Sequence, residues 1–378
     1  MKYFSSILFL VVFVHMATAQ TNFVDSLKNL LQNSGDNERI GIYSELIQKI
    51  MFSNKEEALQ YTDKGLKLLE KYPDRRKTAE FLGMKGYIFF LSGDYQKALD
   101  YCRQALEEVK NIEASSEKGR ILLSIGNIYF RTEDYLNAIS YFEKAKFSYM
   151  EAGDTSGMAL ARNNTGNIFY FLGSYDEALQ QYLEGMRLYE SVGDNKNSAM
   201  TLNNIAGIYS KLGNTDKAME SYLEAARICD VEDHMLLYST IMNNIGVIHN
   251  QKGEYDQAYN YFLKALHKAE EYDDKQQIAA TYNNLGLMYD RKHDYEHALE
   301  NYLISYNMRK ESGNREEQAR TLNNLGGLYI KTGKYNDAVS VLTEAKNAAE
   351  SVEALPVLVD IYKALSEVNE EQGNYKNA

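Results

Sequence analysis

Two histidines near residue 295 form the pattern in this chain that comes closest to a catalytic site. Residues 293–297 have the order H-x-x-E-H, which in one class of zinc peptidases places two metal ligands and an acidic residue on a helix. The chemistry of such a site would be metal-assisted hydrolysis, and it would need a third ligand from elsewhere in the chain. The other histidines after residue 19 are dispersed and supply no obvious third ligand: His234, His249 and His267.

The neighbouring sequence explains this motif without a metal. The same five positions hold G-E-Y-D-Q forty residues earlier, at 253–257, and G-K-Y-N-D forty residues later, at 333–337. His293 therefore takes the place of a glycine that separates two helices. The chain also has no glycine-rich phosphate loop and no G-x-S-x-G sequence. We predict that residues 1–378 hold no metal and no cofactor and contain no catalytic residue.

A pair of adjacent asparagines recurs with a constant spacing of 40 residues. Alanines recur with the same spacing, from Ala58 through Ala98 to Ala378. A fixed period of this length is typical of a stacked repeat array, in which each repeat contacts only its neighbours and the stack builds a long binding surface. The asparagine pairs are Asn163-Asn164, Asn203-Asn204, Asn243-Asn244, Asn283-Asn284 and Asn323-Asn324.

Each 40-residue segment has the pattern of two helices. Within 159–198, apolar residues follow helical spacing over 159–172 and over 176–190, and Gly173-Ser174 separates the two stretches. The chain shows no strand-like alternation and has only 2 prolines. The sequence therefore predicts an all-α array of antiparallel helix pairs. We expect a helical lead-in at 20–38, a degenerate repeat at 39–78, seven repeats over 79–358 and an incomplete repeat at 359–378.

The recurring residues resemble the tetratricopeptide repeat. A small residue of the first helix, such as Gly126 or Gly166, is followed three positions later by an aromatic residue, such as Tyr129 or Phe169. A G-x-Y turn, the recurring alanine and a further aromatic residue come next in most segments. The chain departs from the family pattern because it has no tryptophan and lacks the usual proline after the second helix. With a period of 40 rather than about 34 residues, it resembles Pins/LGN-type scaffolds and the N-terminal arrays of bacterial sensor kinases and regulators.

This resemblance implies both a fold and a mode of binding. The fold would be a right-handed superhelical solenoid in which the first helix of each repeat lines a concave groove. That groove would bind an extended peptide or a protein partner. The family's carboxylate clamp combines basic residues and asparagines of adjacent repeats, and two sets come near it: Arg320 with Asn324, and Arg120 with Asn127 and Asn164.

The asparagine pairs need a reason, because asparagine is unfavourable inside a helix. A helical wheel places the two members of each pair on either side of the centre of the non-core face of the first helix. In the tetratricopeptide repeat family that face lines the concave groove. For the first asparagine two roles remain open: contact with a peptide backbone, or a hydrogen bond within a ladder that joins the repeats. For the second we favour the groove. The predicted peptide-binding residues are the ten paired asparagines together with Lys211, Arg291, Arg320 and Lys331.

The net charge of −12 limits the possible partners. Lysines and arginines are scattered and form no basic run, so the sequence predicts no binding to nucleic acid. Within the predicted groove, however, basic residues recur near the second asparagines. That local charge would favour an acidic or C-terminal peptide segment.

The first residues have the pattern of a secretory signal peptide. Lys2 precedes an apolar stretch at 7–14, and Ala17-Thr18-Ala19 is a small-residue cleavage site. We expect residues 1–19 to be removed and the protein to be exported, either to the periplasm or out of the cell. We expect no membrane span within 20–378, because no second apolar run has the necessary length.

The end of the chain resembles an unfinished array. Ile361, Leu365 and Val368 form a core-facing stripe, and the next helix stops at Ala378 without a polar cap. We expect a fragment whose uncapped end self-associates.

Two functions follow from these observations. The first is an exported scaffold that binds a peptide or protein. The alternative is the periplasmic sensory region of a longer bacterial histidine kinase or transcriptional regulator, tethered to a membrane, with any kinase activity beyond residue 378.

Overall fold

The computed structural model describes residues 23–112 and 115–371, and every regular element in them is an α-helix. This confirms the predicted all-α array of packed helix pairs. Helix α1 covers residues 23–33. The helices that follow are α2 (Asp36–Ile50), α3 (Lys55–Lys71), α4 (Arg75–Leu91), α5 (Tyr95–Val109), α6 (Ser116–Arg131), α7 (Tyr135–Glu151), α8 (Thr155–Phe171), α9 (Tyr175–Ser191), α10 (Asn195–Lys211), α11 (Thr215–Val231), α12 (Met235–Gln251), α13 (Tyr255–Glu271), α14 (Lys275–Arg291), α15 (Tyr295–Glu311), α16 (Arg315–Lys331), α17 (Tyr335–Glu350) and α18 (Leu355–Glu371).

Short turns join the helices, and side-chain caps determine where many of them begin. The Asp134 carboxylate accepts a hydrogen bond from the backbone N–H of Asn137 at 3.2 Å, and Asp154 accepts one from Gly157 at 2.8 Å. Each cap satisfies a backbone donor that the first turn of a helix leaves unpaired. Because Asp154 caps α8, this helix begins at Thr155, four residues before the predicted start at 159.

Residues up to Gly193 form one compact unit, which we call the N-terminal unit. Within its helix pairs, a glycine of the first helix faces a large side chain of the second. A Cβ atom at Gly126 would lie 2.5 Å from the Phe142 ring, and one at Gly166 would lie 2.9 Å from the Tyr182 ring. The recurring small residue therefore makes room for the aromatic residue that fills the interior of the pair.

Residues from Asp194 onwards form a second compact unit, the C-terminal unit. It repeats the same packing, since a Cβ atom at Gly246 or Gly286 would lie 2.6 Å from the ring of Phe262 or Tyr302. The recurring Ala258 is completely buried among these helices. The periodic small and aromatic residues are thus core residues in both units.

Helix α18 is the last helix that the structure describes. It buries Ile361 and Val368 completely and leaves Val359 and Tyr362 about half exposed. The predicted continuation at 372–378 lies outside the described residues, as does the predicted signal peptide at 1–19. Among the helices that are described, none combines the length and the apolar character that a membrane span requires.

Candidate functional site

The asparagine pairs of the C-terminal unit bond to one another from repeat to repeat. The Nδ2 atom of the second asparagine in a pair donates to the Oδ1 atom of the first asparagine in the preceding pair. We call this row the asparagine ladder, and it is one of the two roles that remained open for these residues. Its bonds join Asn244 to Asn203, Asn284 to Asn243 and Asn324 to Asn283, and each is 3.0 Å long.

The two members of a pair have different surroundings. The first asparagine faces the second helix of its own pair: Asn163 Oδ1 lies where a side chain at Gly185 would be, and Asn243 is only 6% exposed. The second asparagine is half-buried, and no described residue donates a hydrogen bond to its Oδ1 atom. This applies to Asn244, Asn284 and Asn324. The ladder therefore leaves one acceptor of each of these side chains open, and contact with a peptide stays a prediction.

The N-terminal unit contains a shorter version of this row. Asn164 Nδ2 donates to Asn127 Oδ1 at 3.1 Å. In α4 and α6 the positions of the asparagine pair hold Gly83-Met84 and Leu123-Ser124 instead. The first helices of this unit therefore differ from one another, and the surface they form is less regular than the ladder.

Two of the predicted basic residues bond to the preceding repeat. Lys331 Nζ lies 2.6 Å from Asp290 Oδ2, and Arg291 Nη1 donates to the backbone carbonyl of Asn250 at 3.3 Å. The lysine ammonium is thus paired with a carboxylate of the same protein. A negatively charged ligand would have to compete with Asp290 for Lys331.

The two partial matches to a carboxylate clamp also pair within the chain. Arg320 lies between Glu316 at 2.8 Å and Glu317 at 3.4 Å, and Arg120 forms an ion pair with Glu117. Lys211, by contrast, is exposed. These arginines hold glutamates of their own helices, so the geometry of a preformed carboxylate site is not present at either set.

Below Lys331, several buried polar atoms have no hydrogen-bond partner in the described chain: Asn250 Oδ1, Asp290 Oδ1 and the Tyr302 hydroxyl. Burial, together with the nearby Asp290 charge, raises the pKa of Tyr302. Each such atom costs free energy because it has lost its water without gaining a partner.

A cavity of about 310 Å³ lies in the N-terminal unit between the first helices α2, α4 and α6. It opens at Gly83, where a Cβ atom would still be 3.8 Å from Ile121 and 4.0 Å from Glu117 Oε1. We call it the Gly83 cavity. Its wall combines apolar residues with acidic, basic and amide side chains: Met51, Met84, Tyr87, Ile121, Leu123, Glu80, Glu117, Arg120, Gln48, Ser124 and Asn127.

The two glutamates of this cavity differ in their bonding. Glu80 accepts hydrogen bonds from Ser44 on one oxygen and from Lys77 on the other, at 2.8 Å for Lys77. Glu117 pairs with Arg120 through Oε2 only, and no described residue donates to its Oε1 atom. Burial raises the pKa of Glu117, and the nearby Glu80 charge adds to that effect while Arg120 opposes it. Glu117 therefore presents a poorly compensated carboxylate to the cavity.

A second cavity, of about 350 Å³, lies in the C-terminal unit beside Arg309. This side chain is buried, and burial lowers its pKa. Its guanidinium bonds to the Glu317 carboxylate at 3.0 Å, to the Glu317 carbonyl at 2.8 Å and to the Thr321 hydroxyl. Because these groups satisfy the charge, Arg309 is not free to hold an anion there.

The two histidines of the H-x-x-E-H motif contact different residues. His293 occupies the turn before α15 with φ of 62°, where Gly253 and Gly333 stand at equivalent turns. Its Nδ1 atom is 3.0 Å from the Tyr295 hydroxyl, while His297 Nδ1 is 2.8 Å from Asp294 Oδ2. In the residues that the structure describes, no group of three or more His, Cys, Asp or Glu side chains is placed to hold a metal ion.

Sequence reasoning missed the Gly83 cavity. The sequence does show that the asparagine pairs are missing here. Gly83-Met84 and Leu123-Ser124 take their positions, and these residues line the cavity. The chemistry of Glu80 and Glu117 could not be inferred from spacing alone, since they belong to different helices.

Solved structures with a similar arrangement of helices share little sequence with this chain. The apo form of the quorum sensor NprR from B. thuringiensis is 18% identical, with a TM-score of 0.62 over 90% of this chain and 96% of that one. Aspartyl phosphate phosphatase F from Bacillus subtilis is 14% identical, with a TM-score of 0.63 over 87% and 88%. A Rap protein in complex with competence and sporulation factor is 14% identical, with a TM-score of 0.58 over 98% and 99%. These likenesses show the fold.

Sequence comparison with known families gives a direct assignment. No curated protein matches the chain. Sequence profiles of the tetratricopeptide repeat, however, match residues 79–108, 117–191, 157–230, 237–311 and 318–353. These segments cover more than half of the chain and coincide with its helix pairs. The chain therefore belongs to the tetratricopeptide repeat family.

Proposed function

We propose that this chain is a scaffold that binds an extended segment of a peptide or protein along the asparagine ladder of its C-terminal unit. The observation that carries the proposal is the hydrogen bonding of the second asparagines. Asn244, Asn284 and Asn324 are each held by one Nδ2 bond and each keep a free Oδ1 acceptor. An amide offers both a donor and an acceptor, which matches a peptide backbone whatever its sequence.

The ladder also lowers the cost of binding. A free asparagine side chain loses rotamer entropy when a ligand fixes it, at roughly 0.5–1.5 kcal/mol for each immobilised side chain. Here the bond to the preceding repeat has already fixed the amide. The row is therefore organised before a partner arrives, and more of the interaction energy remains as affinity.

The spacing of the row determines the length of the partner. Two asparagine side chains joined by a 3.0 Å bond place successive first helices about 10 Å apart at this level, in keeping with usual helix packing distances. An extended chain advances about 3.3 Å for each residue. One asparagine therefore serves about every third residue of a bound segment. A segment that runs from Asn204 to Asn324 would have about ten residues.

The charge of the partner does not follow from the asparagine ladder. The sequence favours an acidic segment, but Lys331 and Arg320 are paired with Asp290 and Glu316. An acidic ligand would have to break these pairs, whereas a neutral backbone contact would not. Lys211, which is exposed, and Arg291, whose partner is the neutral backbone carbonyl of Asn250, support an acidic end of the segment.

We propose that binding takes place outside the cytoplasm, because residues 1–19 have the signal-peptide pattern. Mass spectrometry of the protein produced from its native start would detect cleavage before Gln20.

The alternative function is the sensory region of a longer receptor. It is favoured by the likeness in fold to a protein described as a quorum sensor. Self-association through residues 359–378 remains part of this proposal, and light scattering would test it.

The experiment selects ten- to twelve-residue peptides for binding to the full chain from a random display library. Isothermal titration then measures a selected peptide against Asn244→Ala, Asn284→Ala and Asn324→Ala. We expect each variant to weaken binding by about fivefold, since a lost hydrogen bond of this kind is worth about 1 kcal/mol. Asn260→Ala is the matched control, because Asn260 is exposed on the second helix α13. If all four variants bind equally well, the ladder is a structural feature and this proposal is wrong.

A further inference from the structure

We propose that the Gly83 cavity is a pocket for an arginine side chain of a peptide or protein partner. The source of that side chain rests on the proposed function, whereas the chemistry of the pocket rests on the cavity alone.

The cavity lies at the place where α4 lacks the asparagine pair. In α8 the Asn163 side chain reaches toward the second helix and fills space beside Gly185. In α4 the equivalent residue is Gly83, which has no side chain and lines the cavity. An asparagine row recognises peptide groups without regard to sequence. A side chain of the partner can be recognised only where it enters a pocket, and the Gly83 cavity offers one.

The apolar wall fits a long, flexible stem. Met51, Met84 and Ile121 line the cavity, and methionine side chains adapt to irregular shapes. The volume of about 310 Å³ corresponds to roughly ten waters at about 30 Å³ each. A side chain that replaces this water must be long. Arginine covers apolar surface with its methylene groups while its charged end seeks a polar partner.

The polar wall fits a planar cation. Glu117 Oε1 faces the opening at Gly83 and receives no hydrogen bond from a described residue. The guanidinium group of arginine has a fork of donors that matches a carboxylate. Arg120 already holds the other oxygen, and its side chain is 63% exposed while that of Glu117 is 16% exposed. Water therefore screens this pair in part, and Oε1 keeps an acceptor for a second cation.

The unpaired oxygen of Glu117 favours a cationic side chain over an acidic or an apolar one. The ionisable groups that line the cavity are Glu80, Glu117 and Arg120, with Lys77 behind Glu80. An acidic side chain would meet two carboxylates at close range. An apolar side chain would remove the remaining water from Glu117 without replacing it, which is unfavourable for a charge. An entering guanidinium supplies the compensation that Glu117 lacks.

The test uses two blocked amino acids as probes for the full chain. N-acetyl-arginine methylamide carries the proposed side chain, and N-acetyl-citrulline methylamide has nearly the same shape without the charge. With methionine methyl groups labelled with carbon-13, we expect the arginine probe to shift the signals of Met51 and Met84 and to leave Met308, on α15, unchanged. Equal shifts from the two probes, or no shift from either, would overturn the proposal. Free arginine serves as a third probe: binding as tight as that of the blocked form would show that the source is a free amino acid.

Two variants test the residues. Glu117→Gln keeps the size of the side chain, and we expect it to weaken the arginine probe at least tenfold. Glu143→Gln is the matched control, because Glu143 is an exposed glutamate of α7. Gly83→Leu should fill the cavity and abolish the shifts. Circular dichroism must show both variants folded, and the comparison of probes on the unaltered chain needs no variant.

The two proposals can fail separately. The probes are single residues and do not need the asparagine ladder, so Asn284→Ala should leave the shifts of Met51 and Met84 unchanged. If the probes fail while selected peptides respond to the ladder variants, only the arginine pocket is wrong. If the arginine probe binds but the ladder variants change nothing, the proposed mode of peptide binding is wrong and the pocket stands.

Discussion

Asn323 and Ala364 stand in the same relation as the bonded asparagines of the ladder, but no hydrogen bond joins them. Asn203, Asn243 and Asn283 each accept a bond from an asparagine 41 residues later. The residue at that distance from Asn323 is Ala364. Asn323 Oδ1 is consequently buried without a partner in the described chain. The ladder ends at α16 with an unsatisfied acceptor.

Replacing Ala364 with asparagine should extend the ladder into α18. Satisfying a buried acceptor is worth about 1–3 kcal/mol, and asparagine costs about 0.6 kcal/mol relative to alanine in a helix. We expect a net gain of about 1 kcal/mol in the local free energy of unfolding, measured by amide hydrogen exchange in α16 and α18. Ala364→Asp is the control, since a carboxylate has no proton to donate and should destabilise these helices. A loss of protection in Ala364→Asn would contradict the continuation of the ladder.

The central bonds of the ladder should show as pairwise coupling. In a double-mutant cycle, Asn243→Ala and Asn284→Ala remove the two ends of one hydrogen bond. We expect a coupling energy of about 1 kcal/mol between them, measured by hydrogen exchange in α12 and α14. The control cycle combines Asn243 with Asn324, which do not bond to each other, and its coupling should lie within about 0.5 kcal/mol of zero.

The sequence predicts the fold well because the core of each repeat is made of local, periodic features. Gly126 and Phe142 recur as a small residue and an aromatic residue at constant spacing, and the structure packs one against the other. The predicted starts of the helices were less accurate than the predicted core. Helix α8 begins at Thr155 because Asp154 caps it, and a cap precedes the apolar pattern rather than belonging to it.

The surface was harder to predict than the core. A helical wheel places both asparagines of a pair away from the core, whereas Asn243 is only 6% exposed. The wheel also cannot show that Asn284 reaches Asn243 on another helix. Likewise, the sequence predicts that Lys331 binds a ligand, whereas the structure pairs it with Asp290 of the preceding repeat. These contacts depend on distances between repeats, which a single helix pattern does not contain.

The burial of Glu117 should make the stability of the N-terminal unit depend on pH. Its folded-state pKa is raised above the ordinary value of 4.5, so the folded chain holds this proton more tightly than the unfolded chain does. Below pH 4.5 both states are protonated and the burial penalty is absent. As the pH rises through 4.5 the penalty grows, and it is complete above the folded-state pKa. Glu117→Gln cannot ionise, so its stability relative to the natural chain should increase between pH 4 and pH 7. Urea unfolding at several pH values would measure this, with Glu143→Gln as the control. A difference that stays constant with pH would show that Glu117 titrates as an exposed group.

The two cysteines allow a test of how stability is distributed along the array. Burial raises the pKa of Cys102 to about 12 and that of Cys229 to about 11, so both thiols should react slowly at pH 8 unless their surroundings open. Cys102 lies on α5 in the N-terminal unit, and Cys229 lies on α11 in the C-terminal unit. Their rates of reaction with iodoacetamide therefore report local opening at two separate places.

A charge at Ala258 should open the array near Cys229 and leave Cys102 protected. Ala258 is completely buried on α13, and an unpaired charge there costs several kcal/mol. In a repeat array each repeat is stabilised mainly by its neighbours, so this loss should fall off with distance along the chain. We expect Ala258→Asp to accelerate labelling of Cys229 by a factor on the order of 100, since each 1.4 kcal/mol corresponds to about tenfold. Labelling of Cys102 should keep its original rate.

Asn260→Asp, which adds the same charge at an exposed position of the same helix, should affect neither thiol. Equal acceleration at both cysteines would mean that the described helices unfold as one cooperative body, because nearest-neighbour coupling cannot carry the full loss across the intervening repeats.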